Sequence, residues 1–116
     1  MKIEGEAKLL RIFIGEADKI SHLPIYEKIV IEARKNNLAG ATVYKGIMGF
    51  GGNSRIHSAK ILRLSEDLPL VIEIVDEQKK IEDFIPEIEK IFEDADCGGL
   101  ITVEKAEIIV YKSTKK

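Results

Sequence analysis

Residues 70–92 read LVIEIVDEQKKIEDFIPEIEKIF, and a change of period inside this stretch decides the fold. Leu70, Val71, Ile72, Ile74 and Val75 are β-branched or large and apolar, which predicts a strand over 70–75. Ile81, Phe84, Ile85, Ile88, Ile91 and Phe92 then recur at helical spacing and form one apolar stripe. Asp76 stands between the two as a candidate helix cap. Pro86 falls inside the stripe and predicts a kink or a restart there.

The same reading extends in both directions. Residues 6–14 (EAKLLRIFI) predict a first strand, followed by a polar connection at 15–19. Ile25, Ile29, Val30 and Ala33 predict a helix over about 22–37, with Ser21 as its N-cap, Pro24 in its first turn, and Asn36, Asn37 and Gly40 closing it. Residues 40–47 are a second strand, and Ile61, Leu62 and Leu64 begin the return, which passes a turn or bulge at 65–69. Beyond the second helix, Cys97-Gly98-Gly99 turns the chain into a strand at 100–103. A short last strand at 107–111 and a frayed tail at 113–116 follow. This order predicts one domain over residues 1–116, an α+β ferredoxin-like βαββαβ sandwich with a short extra C-terminal strand. Right-handed crossovers put both helices on one face of the sheet. The strands at 9–14 and 70–75 carry apolar residues on both faces, so the second face must meet something apolar. Another copy of the chain is the simplest candidate.

A chain of 116 residues buries roughly two thirds of the surface it exposes unfolded and needs no disulfide or metal staple. No run approaches the ~20 apolar residues that span a bilayer. The start, MKIEGEAKLL, carries acids and lacks an apolar signal core, so it reads as a mature N-terminus. One cysteine, Cys97, excludes an internal disulfide and fits a reducing cytoplasm. A net charge of −2 argues against nucleic acid as a partner. Its distribution is uneven: Arg34, Lys35, Lys45, Arg55, Lys60 and Arg63 lie in a segment, residues 33–65, with no Asp or Glu. Such a segment favours an anionic ligand or partner, and scattered solubilising charges remain the alternative.

That basic segment contains GATVYKGIMGFGGNSRIH, residues 40–57. Its glycines match neither the phosphate loop that precedes Lys and Ser or Thr nor the dinucleotide fingerprint that opens a helix. What remains is a generic device, successive backbone N–H groups in a glycine turn that cup an anion, and Gly98-Gly99 is a second such turn. Arg55 is the loop residue placed to supply charge, and His57 assists it or orders the loop. Phe50 reads as a loop anchor more readily than as a stacking platform. His22 and His57 stand alone, without metal-ligand spacing, and Cys97 reads as a small residue filling a turn. With four glycines in residues 46–52, the loop at 47–58 is expected to be the most mobile internal segment.

Gly40-Ala41-Thr42-Val43, then Gly49-Phe50-Gly51 with His57 following, resembles the second strand and loop of the PII nitrogen-regulatory signalling proteins. Leu68-Pro69-Leu70 with Ile72-Glu73-Ile74-Val75 is similar to their third strand. Asp96-Cys97-Gly98-Gly99-Leu100-Ile101 resembles their glycine turn over the nucleotide. The closer match is the PII-like family catalogued as domain of unknown function 190, over nearly the whole chain. The resemblance implies a homotrimer with nucleotide-sized clefts between subunits, lined by Thr42, Gly49, Phe50, Gly51, Gly98 and Gly99. It also implies a loop that reports occupancy to a partner such as a membrane transporter. The departures are specific. PII proteins proper carry Arg-Gln after Gly-Phe-Gly, where this chain has Gly52 and Asn53, and a Lys where it has Leu100. Their loop is longer and carries a modifiable tyrosine, whereas Tyr44 lies in the strand, and residues 111–116 replace their arginine-containing C-terminal segment. Binding of ATP with 2-oxoglutarate and loop modification are therefore not carried over. The leading reading is a cytoplasmic, non-enzymatic regulator that requires no cofactor and takes an adenine nucleotide or other small anionic metabolite as effector. A ligand-free interaction module is the alternative, and a small hydrolase using the cleft is a third.

Overall fold

The computed structural model of the chain describes residues 5–49 and 68–114. In chain order its elements are β1 (Gly5–Gly15), β2 (Lys19–Ile20), β3 (Leu23–Pro24), α1 (Ile25–Lys35), β4 (Thr42–Lys45), β5 (Pro69–Asp76), α2 (Gln78–Ala95) and β6 (Leu100–Ile108). Four of the strands form one antiparallel sheet in the order β4-β5-β1-β6. This is the ferredoxin-like arrangement that the order of elements predicted. The strands expected at 100–103 and 107–111 are one continuous strand, because β6 keeps pace with β1 from Leu100↔Phe13 to Gly5↔Ile108. Residues 109–114 then leave the sheet. The expected return at 61–64 and most of the turn at 65–69 lie outside the described residues.

Strand alternation divides the sheet into two chemically different faces. Leu10, Ile12 and Ile14 of β1 and Leu70, Ile72 and Ile74 of β5 point to one side and are buried there. Ile25, Ile29 and Ala33 of α1 and Ile81, Phe84, Ile88 and Ile91 of α2 pack on them, so both helices cover that side. The other side carries Leu9, Arg11 and Phe13 of β1, Val71, Glu73 and Val75 of β5, Thr42 and Tyr44 of β4, and Leu100, Thr102 and Glu104 of β6. At its centre Arg11 bridges two strands, with Nε donating to Glu73 Oε2 and one Nη to Glu104 Oε1, both at 2.9 Å. The face is therefore an ion-paired centre within an apolar surround.

Both helices stop by the same device. At the end of α1, Asn37 takes a left-handed conformation (φ 60°), and the N–H groups of Asn37 and Leu38 turn back to the carbonyls of Arg34 and Ala33. At the end of α2, Asp96 does so (φ 51°), with Asp96 and Cys97 donating to Glu93 and Phe92. Asn and Asp tolerate this region better than other non-glycine residues. Pro86 neither restarts nor ends α2, which runs unbroken through it. The proline is exposed, so water can take the carbonyl it leaves unpaired.

Two caps differ from expectation. Ser21 does not cap α1; it shares a two-residue turn with His22 between β2 and β3, and Pro24 precedes the helix instead. Both turn residues have positive φ, 48° and 70°, as a tight hairpin with right-handed strand twist requires. Asp76 is not the N-cap of α2; that position is Glu77, which makes no side-chain cap bond. Asp76 is wholly buried, continuing the inward phase of Leu70, Ile72 and Ile74. Its Oδ1 accepts from the Glu77 N–H at 2.7 Å and its Oδ2 from the Ala39 N–H at 2.8 Å.

Replacing Ser21-His22 with Asn-Gly, the pair suited to such a turn, is expected to stabilise the fold by about 1 kcal/mol in urea denaturation. Asp76→Asn exchanges an acceptor for an N–H donor facing a backbone N–H, and is expected to cost about 2 kcal/mol in the same assay.

Candidate functional site

Thr42 opens β4 on the uncovered face, opposite Glu73 of β5. Beside it lies a cleft of about 330 Å3, bounded by residues 39–41 and by Thr42, Glu73, Val75, Ile108, Val110 and Tyr111. The C-terminal segment forms one wall. It leaves β6 at one edge of the sheet and reaches the start of β4 at the other, where the Tyr111 hydroxyl donates to the Ala39 carbonyl at 3.0 Å. The Ala39 peptide is thus held twice, by Asp76 through its N–H and by Tyr111 through the carbonyl that follows.

The glycines of the two turns answer first to neighbours in their own chain. A Cβ on Gly46 would lie 2.8 Å from Pro69 Cγ, and one on Gly49 would lie 3.0 Å from it. The Gly46 N–H also donates to the Pro69 carbonyl at 2.7 Å. The base of the loop is therefore folded tightly over the first residue of β5. At Gly99 a Cβ would overlap the Phe92 ring, 2.5 Å from Cζ, and sit 3.2 Å from the Phe13 carbonyl. The close approach expected for a ligand at this turn is already made by Phe92.

Thr42, Gly49, Gly98 and Gly99 are the expected site residues that fall within the described chain. Phe50, Gly51, Arg55 and His57 lie outside it, as does the loop beyond Gly49. Of the described four, Thr42 lines the cleft and the others do not. Gly46–Gly49 and Gly98–Gly99 stand at the same end of the sheet but at opposite edges, β4 and β6, with β5 and β1 between. Three strand spacings separate those edges, roughly 14 Å.

Several charged groups of the neighbourhood are committed. Lys45 pairs with Glu16 at 2.6 Å, and Lys35 reaches Glu32 at 3.6 Å. Glu73 and Asp76 do not pair with each other: three residues apart on a strand, they point to opposite faces. Burial, then the carboxylates of Asp18 and Asp96, push the Cys97 thiol up, the opposite of what a nucleophile needs. Among the described residues, no group of three or more His, Cys, Asp or Glu is placed to hold a metal ion. Nor is any described helix long and apolar enough to cross a membrane.

The family model DUF190, described as "Uncharacterized ACR", matches residues 7–108. The chain belongs to the DUF190 family. A UPF0166 protein of Aquifex aeolicus is 39% identical over 102 residues, covering 88% of this chain and 92% of the relative. A UPF0166 protein of Methanocaldococcus jannaschii is 37% identical over 98 residues, covering 84% and 87%. Among solved structures, this DUF190 chain is similar to CPII of Thiomonas intermedia, a nitrogen regulatory PII-like protein bound to ADP, AMP and bicarbonate. That match has a TM-score of 0.65 at 16% identity over 89% of this chain and 88% of the other. It is also similar to a PII-like signaling protein of Thermus thermophilus, with TM-score 0.62 at 13% identity over 90% and 91%. At these identities the likeness is one of fold, and it agrees with the PII-like resemblance carried by the motifs.

Glu73 and Val75 line the cleft without having been expected there, and Ile108, Val110 and Tyr111 join it through the C-terminal segment, whose place no local pattern in the sequence marks. Asp76 did leave a trace, since it falls on the buried phase of its strand. Gly99→Val is expected to lower stability by about 2 kcal/mol without any ligand present, with Gly99→Ala lowering it less, as thermal denaturation of both variants would measure.

Proposed function

We propose that this DUF190 chain is a non-enzymatic, cytoplasmic regulator, a homotrimer that binds a small anionic ligand between subunits and signals through residues 47–58. The ligand is an adenine nucleotide, and the residues proposed to hold it are Thr42, Gly49, Phe50, Gly51, Arg55, His57, Gly98 and Gly99. One observation carries the reading: the two glycine turns share an end of the sheet but occupy opposite edges, so one chain cannot close both around one ligand. A neighbour that sets its β6 edge beside this β4 edge brings a second glycine turn to the first. Such a contact joins two different surfaces, and it makes a ring where the rotation between successive copies closes. A ring also covers the face left open by the helices, on which Leu100 and Tyr44 are exposed. The structurally similar protein solved with ADP and AMP supports a nucleotide as the ligand class.

A second reading, a docking module without a small molecule, draws on the loop base. Ile47 and Met48 are 95% and 67% exposed there, apolar groups set to meet a protein surface such as a transporter.

Light scattering at micromolar concentration is expected to give a mass near three chains, and calorimetry is expected to give binding heat with ADP that Arg55→Ala weakens about tenfold. A monomer mass overturns the trimer. Absence of heat with every adenine and guanine nucleotide transfers the case to the docking module.

A further inference from the structure

Most ion pairs among the described residues are local. Lys28, Lys35 and Lys79 each reach a carboxylate three or four residues away on their own helix, and Arg11 bridges strands that are hydrogen-bonded neighbours. Lys45 and Glu16 form a different kind of pair. Lys45 ends β4 and Glu16 follows the last residue of β1, and β5 lies between those two strands. Their side chains meet at 2.6 Å. The pair therefore spans the width of β5 at its start, where the chain re-enters the sheet.

The backbone around this pair is tied on both sides. The Glu16 N–H donates to the Leu68 carbonyl at 2.8 Å, and the Gly46 N–H to the Pro69 carbonyl at 2.7 Å. Gly15 pairs with Pro69 in register, and its N–H donates to Asp18 Oδ2 at 3.1 Å. Exposed ion pairs usually contribute little, because two long side chains must be ordered to make them. Here both side chains start from backbone that is already set in place. Lys45 is also the only Lys, Arg or His between Lys35 and Arg55. It stands one residue before Gly46 and four before Gly49, at the root of the turn proposed above to cup an anion. An anion arriving at this root meets a lysine that a carboxylate already occupies.

We propose that Glu16 is an internal competitor for the anionic ligand: its carboxylate holds Lys45 while the root is empty and yields it to a phosphate. This rests on the nucleotide reading above and adds two residues outside the set named there. A phosphate carries more charge and more acceptor oxygens than a carboxylate, so it takes the lysine once the rest of the ligand is held. The exchange lowers the ligand's affinity and unties the end of β4 from the segment that follows β1. Occupancy is thereby converted into a change at Glu16, on the far side of β5.

The test is calorimetry on the full chain with two probes, ADP and adenosine. Glu16→Gln, which removes the charge and keeps the shape, is expected to tighten ADP about threefold. Glu16→Asp, whose shorter arm stops short of Lys45, is expected to act in the same direction. Lys45→Met is expected to weaken ADP about tenfold, and Glu16→Gln is expected to add nothing in that background. Adenosine, which carries no phosphate, is expected to bind parent and variants alike. In the unsubstituted protein, ADP is expected to move the NMR signal of the Glu16 carboxyl carbon, and adenosine to leave it in place. If ADP binds but Glu16→Gln binds it no tighter than the parent, or tightens it equally in the Lys45→Met chain, this inference is overturned and the nucleotide reading stands. If ADP does not bind the unsubstituted protein, both fall together.

Discussion

A buried carboxylate fixes the end of the sheet where the cleft lies. Asp76 ends β5 on its inward face, where an ion without partners would cost several kcal/mol. Both its oxygens accept backbone N–H groups, one from the start of the segment into α2 and one from Ala39 ahead of β4. Charge-assisted bonds of this kind are short and directional, so they set position as well as energy. Through Ala39 the constraint passes to Tyr111, and through Tyr111 to the C-terminal segment. Lys80 adds a further tie by donating to the Asn37 carbonyl at 2.8 Å, joining α2 to the end of α1. The start of β4, the start of α2 and the segment after β6 are thus held by one small polar network.

The opposite end of the sheet is organised by shape rather than charge. Gly46 and Gly49 lie over Pro69, and Gly99 lies against Phe92, each where a side chain would collide. Glycines that look from sequence like a cradle for a ligand are here also the condition for packing one segment of the chain on another. The two uses are compatible: a turn drawn tightly onto a proline or a phenylalanine has its backbone held in a fixed orientation, which a site built from N–H donors needs.

Between the two ends lies the face of the sheet that the helices leave uncovered. Its centre is the Arg11 pairing with Glu73 and Glu104, which binds β1 to both of its neighbours. Such a centre is tolerable against water, since all three side chains retain some exposure. The apolar residues around it are what the proposed trimer would bury. A sheet with one face sealed by helices and the other mixed in this way is stable enough to fold and still has a surface to offer.

The sequence by itself determined the order of elements, the ferredoxin-like topology and the family. These rest on local periodicity, on the switch from a strand at 70–75 to a helical stripe from Ile81 to Phe92, and on motifs in order. It also marked the asparagine-rich end of α1, because Asn is one of the few residues at ease in the left-handed region. It misread Ser21, whose side chain suits a cap but whose backbone is taken by a hairpin turn too short to show a period. It divided β6 in two, because an edge strand with polar residues on both faces carries weak alternation. Thr42 was marked by its motif and lines the cleft, while nothing in the sequence pointed to Tyr111 beside it. What brings Tyr111 to the cleft is a hydrogen bond to Ala39 across the end of the sheet, and such contacts follow from where strands end in space rather than from any local pattern. Only the tertiary structure could decide that Asp76 faces inward to hold Ala39, that Phe92 fills the space beside Gly99, and that the chain's last segment lines its own cleft.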